Sequence, residues 1–406
     1  MSKILRGSFE LMKQLNVSAV LKVIKDNGSL SRAEIAKLTG LTPASVTNIT
    51  KFLIEDNFLI ESKIGESSGG RPPIILEFNP NARYVIGVGI GVGVIDVVIT
   101  NLSAQIITKK SIIIDNERYN YDLVFKKLIN LINEVLESSE LDKEKILGVG
   151  VALHGIVNAR TGESIHSLYY GWKNKNIKED LEEELELTVY VDNDVRAMAL
   201  GESWFGVTKD IANFVTLNIS NGIGAGIIIN NTPYYGVDFS AGEIGHIVVE
   251  ADGDKCNCGN YGCLETVSSN NNIIRKAIKL IKQGVSTSLS RDVEDINKLS
   301  IQDICDAAKN GDEMSITILK EAARYIGIAI TNLINILNPT AIVVVGEIFE
   351  NTTYAIETLN EIVKNRGLKL SIENVRIIRS LLGRDAAVIG AATLVIQEIF
   401  NGINRK

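Results

Sequence analysis

Between Gly242 and Glu265 the chain reads GEIGHIVVEADGDKCNCGNYGCLE, which sets one of its three histidines ahead of three of its four cysteines. Thiolate and imidazole are the side chains Zn²⁺ prefers, and a structural site closes when four such groups converge tetrahedrally. His246, Cys256, Cys258 and Cys263 supply that number, so a structural zinc is the expected cofactor. The Cys-x-Cys spacing lets two neighbouring thiolates face one ion, and Gly259 and Gly262 relieve the turns that return Cys263 to them. Redox chemistry competes for these residues, but a dithiol oxidoreductase offers Cys-x-x-Cys ahead of a helix, which is absent here. A disulfide framework belongs to short secreted chains. The plain alternative is three turn cysteines near a histidine. Glu243 and Glu265 add two carboxylates that a purely structural metal loop does not require.

The elements that must position this stretch belong to a chain of 406 residues, long enough for two or three domains. The N-terminal MSKILRGSFELMKQLN has no uninterrupted apolar segment, and no apolar run is long enough to span a membrane, so a cytoplasmic location is expected. Net charge is −7, which argues against non-specific coating of nucleic acid. The average hides an asymmetry: residues 1–80 hold ten Lys and Arg against eight Asp and Glu, leaving −9 for the remainder. The N-terminal piece can approach a phosphate backbone that the rest would be repelled by.

From Val17 to Ile60 apolar residues recur at helical spacing in three blocks. The first stops at Asn27-Gly28. The second opens at Ser31, whose Glu34 three residues on makes a capping box, and stops at Gly40. The third takes Thr42 as N-cap and Pro43 in its first turn. Two short helices joined by a glycine-containing turn predict a helix-turn-helix, whose later helix enters the major groove. Its exposed face, Ala44, Ser45, Thr47, Asn48 and Lys51 beside Thr42, suits base edges and phosphates, while Val46, Ile49, Phe52 and Leu53 are expected in the core. FLIESK and PIILEF read as strands flanking IGESSGGRP, a wing with Arg71 at its tip that fits a minor groove. An interdomain linker has the same composition.

After Pro80 strands and helices alternate. YVIGVGIGVGVIDVVITNL and AQIITKKSIII predict a hairpin. The stretch TVYVDNDVRAMALGE is a strand that turns into a helix at Asp192-Asn193-Asp194, where an open α/β sheet places its ligand crevice. Asp194 as a mere helix cap is the alternative. Gly222, Gly224 and Gly226 form a Gly-x-Gly-x-Gly turn that could cradle phosphate. Cys305 reads as an inert core thiol, and no internal repeat is visible.

GEIGH followed by CNCGNYGCLE, with DND before a helix ending in ALGE and with NGIGAGI, resembles the ROK family of repressors and sugar kinases over essentially the whole chain. The resemblance implies an α/β fold: an N-terminal winged helix-turn-helix, then a two-lobed actin-like (ribonuclease H-like) sugar-kinase fold with a zinc knuckle. The expected division is a DNA-binding domain over 1–80, a first lobe over 81–190 plus 388–406, and a second lobe over 191–387. Asn193, Asp194, Glu243, His246 and Glu265 match the family's sugar contacts, with Asp194 at the kinases' catalytic base and His246 shared with the zinc. His154 lies on another segment that faces sugar in the family.

The departures separate the branches. Kinases of the family carry Asp-x-Gly-Gly-Thr where this chain has Gly89-Ile90-Gly91-Val92-Gly93, and a Gly-Gly pair where it has Val345-Gly346-Glu347. An aspartate for Mg²⁺-nucleotide chemistry and a hydroxyl for phosphate are missing, and a carboxylate is added. The expectation is a non-enzymatic repressor, dimeric or a dimer of dimers, that binds operator DNA and is released by a xylose- or glucose-type aldose. An ATP-dependent sugar kinase with an appended DNA-binding domain is the alternative, and a sugar sensor acting through protein partners a third.

Overall fold

The caps written in the sequence build the first helices. In this computed structural model, which describes residues 9–64, 73–114, 116–293 and 295–401, helix α1 spans Phe9–Asn27, two turns earlier than the apolar spacing suggests. Strand β1 (Leu30–Ser31) leads into α2 (Arg32–Thr39). There Ser31 Oγ accepts from the Glu34 amide, the Glu34 carboxylate accepts from the Ser31 amide, and Gly40 ends the helix at φ 70°. Helix α3 (Pro43–Glu55) begins where Thr42 accepts from the Ser45 amide. Each such cap contributes about 1 kcal/mol. Strands β2 (Leu59–Ile64) and β3 (Ile74–Phe78) complete a three-stranded sheet in the order β1-β3-β2. The expected wing tip with Arg71 lies outside the described residues.

One expectation for α3 fails. Phe52 is 46% exposed, because the inward stripe runs through Val46, Thr50 and Leu53 and residue 52 lies about 100° off it.

The next strands, β4 (Tyr84–Ile90), β5 (Val94–Asn101) and β6 (Ile106–Ile113), form a three-stranded antiparallel meander rather than a single hairpin, since Gly91–Gly93 and Asn101–Gln105 are both turns. Helix α4 (Tyr121–Ser139) carries the chain back so that β7 (Ile146–Leu153) pairs parallel to β4. A small antiparallel sheet follows, β8 (Ile156–Asn158), β9 (Glu163–Ser167) and β10 (Trp172–Lys175). Helix α5 (Ile177–Leu185) returns to β11 (Val189–Asn193), parallel to β7, and β11 runs straight into α6 (Asp194–Phe205).

The second large sheet repeats that plan. An antiparallel meander of β12 (Phe214–Ile219), β13 (Ile223–Ile229) and β14 (Thr232–Pro233) precedes helices α7 (Leu264–Ser268), α8 (Asn270–Lys282), α9 (Leu289–Asp292), α10 (Ile301–Lys309) and α11 (Glu313–Leu337). Strand β15 (Ala341–Val345) then joins β12 in parallel. Short α12 (Glu347–Glu350), α13 (Tyr354–Arg366) and α14 (Lys369–Ile372) lead to β16 (Arg376–Arg379), parallel to β15, and α15 (Ala386–Asn401) closes the chain. The sheets read β11-β7-β4-β5-β6 and β14-β13-β12-β15-β16. The repeat lies in topology, which is why the sequence shows none.

Strands such as β4 and β15 are nearly all apolar because helices cover both faces of the sheet. One core lies between the second sheet and α11, and another between the first sheet and α4. A third joins α1, α2, α3 and β3 to Ala392, Val395, Ile396 and Phe400 of α15, so the N-terminal head shares a core with the C-terminal helix. No described helix is long and apolar enough to cross a membrane.

Candidate functional site

The ends of β4, β7 and β11 face the β12–β13 turn and the end of β15 across a cleft of about 290 Å³. Its polar walls include His154, Asn193, Asp194, Glu243 and Glu347. Asn193 is the N-cap of α6. Its Oδ1 accepts from the amides of Val195 (3.0 Å) and Arg196 (3.1 Å), and its Nδ2 donates to Gly155 O and Asp194 Oδ1, both at 2.9 Å. A side-chain amide has two donors and two acceptor sites, so all of Asn193 is committed to holding its neighbours. The cap is therefore Asn193 rather than Asp194. Asp194 keeps Oδ2 facing the cleft, 3.7 Å from His154 Nδ1.

His154 directly follows β7, with its amide donating to Ile90 O at 2.9 Å. Burial opposes its charged form, but the carboxylates of Asp194, Glu265 and Glu243 outweigh that and hold its pKa above the usual value. Glu243 lies across the cleft; partial burial pushes its carboxyl up, with Asp194 adding to the shift and His246 opposing it. Glu265, in the first turn of α7, stands behind the β12–β13 turn, where Oε2 accepts from the Ile223 amide at 3.3 Å. His246 is set further back, with Nε2 3.9 Å from Glu243 Oε2. A Cβ on cleft-lining Gly222 would stand 3.7 Å from Glu265 Oε2 and 3.5 Å from His154 Cε1, so Glu265 backs the cleft wall beside His154.

Sequence reasoning missed Arg196, although the spacing from Asp192 is the i,i+4 of a helix start. Its Nε donates to Asp192 Oδ1 (2.7 Å), Nη1 to Phe239 O (2.8 Å) and Nη2 to Val157 O (2.8 Å). One buried guanidinium thus ties β11, β8 and the loop ahead of the metal stretch to the first turn of α6. Breaking one side of such a pair costs about 3–5 kcal/mol.

In the glycine run at 222–226, Gly222 and Gly224 line the cleft and Gly226 is required by packing. A Cβ on Gly226 would stand 2.3 Å from Val195 O, so glycine is what lets α6 lie on β13. On the other side of the cleft the Gly91 amide donates to Val94 O (3.0 Å) and Gly91 O accepts from Tyr170 Oη (2.8 Å). Glu347 opens α12 and accepts from Asn270 Nδ2 at 2.9 Å. Burial, with Glu347 nearby, pushes the Glu350 carboxyl up.

One donor atom each from His246, Cys256, Cys258 and Cys263 lies within 4.8 Å of all the others. Cys256 Sγ is 3.6 Å from His246 Nδ1, and Cys258 Sγ is 3.7 Å from Cys263 Sγ. These four could hold a metal ion. Cys305 is fully buried on α10, and burial pushes its thiol up to about 12, an inert core thiol as expected.

On the head, Thr42, Ala44, Thr47, Asn48 and Lys51 are exposed and Ser45 is half-buried. The Thr42 and Ser45 hydroxyls share a hydrogen bond of 2.9 Å, and Thr47 Oγ1 donates to Pro43 O at 2.8 Å. Arg32 bridges Thr50 Oγ1 (3.0 Å) and Glu61 (3.2 Å), fixing α2 against α3 and β2.

Residues 85–398 match the ROK family and residues 14–60 a winged helix-turn-helix DNA-binding family. The xylose repressor of Caldicellulosiruptor bescii is 32% identical, covering 97% of this chain and 98% of its own. The DNA-binding transcriptional dual regulator NagC of Escherichia coli is 33% identical over 98% of this chain and 96% of its own. A crystal structure of a ROK family transcriptional regulator, a homolog of the E. coli MLC protein, superposes with a TM-score of 0.83 at 30% identity, over 97% of this chain and 98% of that one. A ROK family glucokinase from Streptomyces griseus shares the fold of the two-sheet part, with a TM-score of 0.70 at 24% identity over 77% of this chain and 99% of its own. Head, cleft and His/Cys cluster stand in one chain matched end to end by these regulators, and the protein belongs to the ROK family.

Proposed function

We propose that this ROK protein is a sugar-responsive transcriptional repressor with a structural zinc and no catalytic activity. The observation that carries the reading is a winged helix-turn-helix head fused through a shared core to a cleft walled by carboxylates and imidazole. Vicinal hydroxyls are best recognised by groups that accept and donate in pairs. Asp194 and Glu243 are the direct sugar partners in this reading, with His154 beside them. Asn193, Glu265 and His246 hold them from behind. Relatives named for xylose and N-acetylglucosamine make a pentose or hexose the effector class.

DNA is read by Thr42, Ala44, Ser45, Thr47, Asn48 and Lys51 of the recognition helix with Arg71 of the wing, from a homodimer on a two-fold operator. The head is taken as 1–80, the first lobe as 81–190 with 388–406, and the second as 191–387; sheet membership supports this division except at β11 (Val189–Asn193), which pairs with β7 and carries the first lobe on to Asn193. For the metal, tetrahedral zinc with Zn–S about 2.3 Å and Zn–N about 2.0–2.1 Å sets S–S edges near about 3.8 Å and S–N edges near about 3.6 Å. Both observed separations agree with those edges. In this reading nucleotide chemistry fits poorly, because the Gly91 amide is already bonded to Val94 O and Glu347 puts a negative charge on the cleft wall, which opposes phosphate.

The test is binding to the protein's own upstream DNA against random duplex of equal length over a salt series. A sequence preference is expected, with log affinity falling linearly with log salt, and D-xylose, N-acetyl-D-glucosamine or D-glucose should release the complex. Asp194→Asn should keep the DNA affinity and lose the release. Equal binding to both duplexes at moderate salt sinks the reading. Asp194 also supports a kinase, and sugar-dependent ADP formation lost in Asp194→Ala would establish that instead.

A further inference from the structure

Helix α6 is engaged at both ends. Its first residue, Asp194, faces the cleft, and its last two, Trp204 and Phe205, meet the head. Lys25, in the last turn of α1, holds Nζ 4.6 Å from the Trp204 ring centroid, 5.2 Å from Phe205 and 5.3 Å from Phe400. Three rings around one ammonium make a directional contact, unlike the apolar packing beside it, because attraction depends on the cation lying over each face. Lys25 is half-buried among these rings; burial lowers its pKa, Asp26 opposes the shift, and Lys209 and Lys22 add to it.

The path between the two ends is stiff. A Cβ on Gly201 would stand 3.1 Å from Gly390 Cα, and one on Gly390 would stand 2.1 Å from Ala197 O. At these two glycines the backbones of α6 and α15 therefore touch, and beside them the helices meet through the small side chains of Ala197, Ala387 and Ala391, which leave little slack to absorb a displacement. Phe400 of α15 supplies the third face of the Lys25 cage and packs 5.8 Å from Phe78 of β3. Ser18 Oγ of α1 donates to Ile399 O at 3.2 Å. At the cleft end, Arg196 joins the α6 start to Val157 O on one side and Phe239 O on the other, so any change in how the two sheets close reaches α6 directly.

We infer that α6, locked to α15, is the lever through which the cleft addresses the DNA-reading head, and that Lys25 is the positioning residue that couples lever to head. The inference rests on the repressor reading above. A ligand can shift the head only as far as it binds the two arrangements differently, and the cage is a contact whose strength differs between them.

The experiment compares wild type, Lys25→Met and Lys25→Arg as full-length protein. Lys25→Met keeps the stem and removes the charge; Lys25→Arg keeps a cation for the ring faces. The coupling factor is the ratio of upstream-DNA Kd with and without saturating sugar, using D-xylose, N-acetyl-D-glucosamine and D-glucose in turn. In Lys25→Met each separate affinity should stay within about threefold while the factor falls at least about fivefold, and Lys25→Arg should restore most of it. Sugar should also change hydrogen exchange in α1 of the wild type and not in Lys25→Met. A Lys25→Met factor within about twofold of wild type, with both ligands still binding, overturns the lever. Sugar-dependent exchange in α1 without DNA preference overturns the repressor reading and leaves the lever standing. A wild type that binds none of the three sugars overturns both.

Discussion

At the scale of single residues, the cleft is organised by which hydrogen-bonding atoms are already spent. Asn193 has none to spare, whereas Asp194 Oδ2 and His154 Nδ1 face each other across 3.7 Å and can trade that contact for a ligand. His154 therefore sits in a field of carboxylates, which hold its folded pKa above that of an ordinary imidazole. The sign follows by linkage: the protonated form is favoured by folding, so its stabilisation is fully present below the unfolded pKa and is lost as pH rises through the folded one. His154→Gln should lower the melting temperature most below about pH 6.5, with the gap to wild type narrowing as pH rises beyond that. Thermal melts of both proteins in the absence of sugar check this, and a gap that is constant from acid to alkaline pH would show that Asp194 does not hold the proton there. Asn193 and His154 also mark where sequence reasoning ran short. The strand-to-helix switch at Asp192–Asp194 was readable as a site, but which of two adjacent polar side chains caps the helix is decided by backbone angles, and the imidazole of His154 acquires its partners from strands and loops distant in sequence.

At the scale of elements, the loop from Gly242 to Glu265 contrasts with everything around it. It holds one short 3₁₀ turn and two isolated bridges, Val248 with Cys263 and Lys255 with Tyr261, and Gly242, Gly259 and Gly262 take positive φ. With so little ladder or apolar core, the proposed zinc is what closes it, since metal binding free energy is folding free energy in such units. One zinc per chain is expected by elemental analysis. Removing it with a chelator, or Cys256→Ser, should raise hydrogen exchange across 242–265 and weaken sugar binding at least about tenfold, because partners behind a metal ligand typically tune sites by that order. DNA affinity without sugar should change little. Loss of DNA affinity in step with sugar affinity would instead make the loop a support of the whole fold. This loop was legible because its ligands lie within eighteen residues, as were α2 and α3, whose caps at Ser31, Gly40 and Thr42 are local signals. Phe52 was misplaced because its neighbours Leu53 and Thr50 define the buried stripe only once α3 is seated, and the break between β4 and β5 was hidden because the Gly91–Gly93 turn lies inside a continuous run of glycine and apolar residues.

At the scale of the whole molecule, the chain's ends determine its behaviour. The Ser18 to Ile399 hydrogen bond spans 381 residues, and no local pattern announces it. The consequence is that the head is not a bead on a linker. Val20, Leu21, Ile24, Val46, Leu53 and Leu76 share one buried cluster with Val395 and Ile396 of α15, and α15 in turn underlies β4 and β7. Contacts of this kind make stability a property of the joined unit, because opening the head exposes the face of α15 and loosening α15 removes the floor of the head. Ile396, fully buried in that cluster, is the place to test it. Ile396→Ala should cost about 2–5 kcal/mol, the range for deleting a large aliphatic side chain from a packed core. The loss should appear together in hydrogen exchange of α1, α3 and β4, with one shared denaturation midpoint for the head and the first sheet. If the head amides kept wild-type protection while those of β4 lost it, or the two parts melted separately, the head would be an independent domain and the effector would have to reach it by some route other than shared packing.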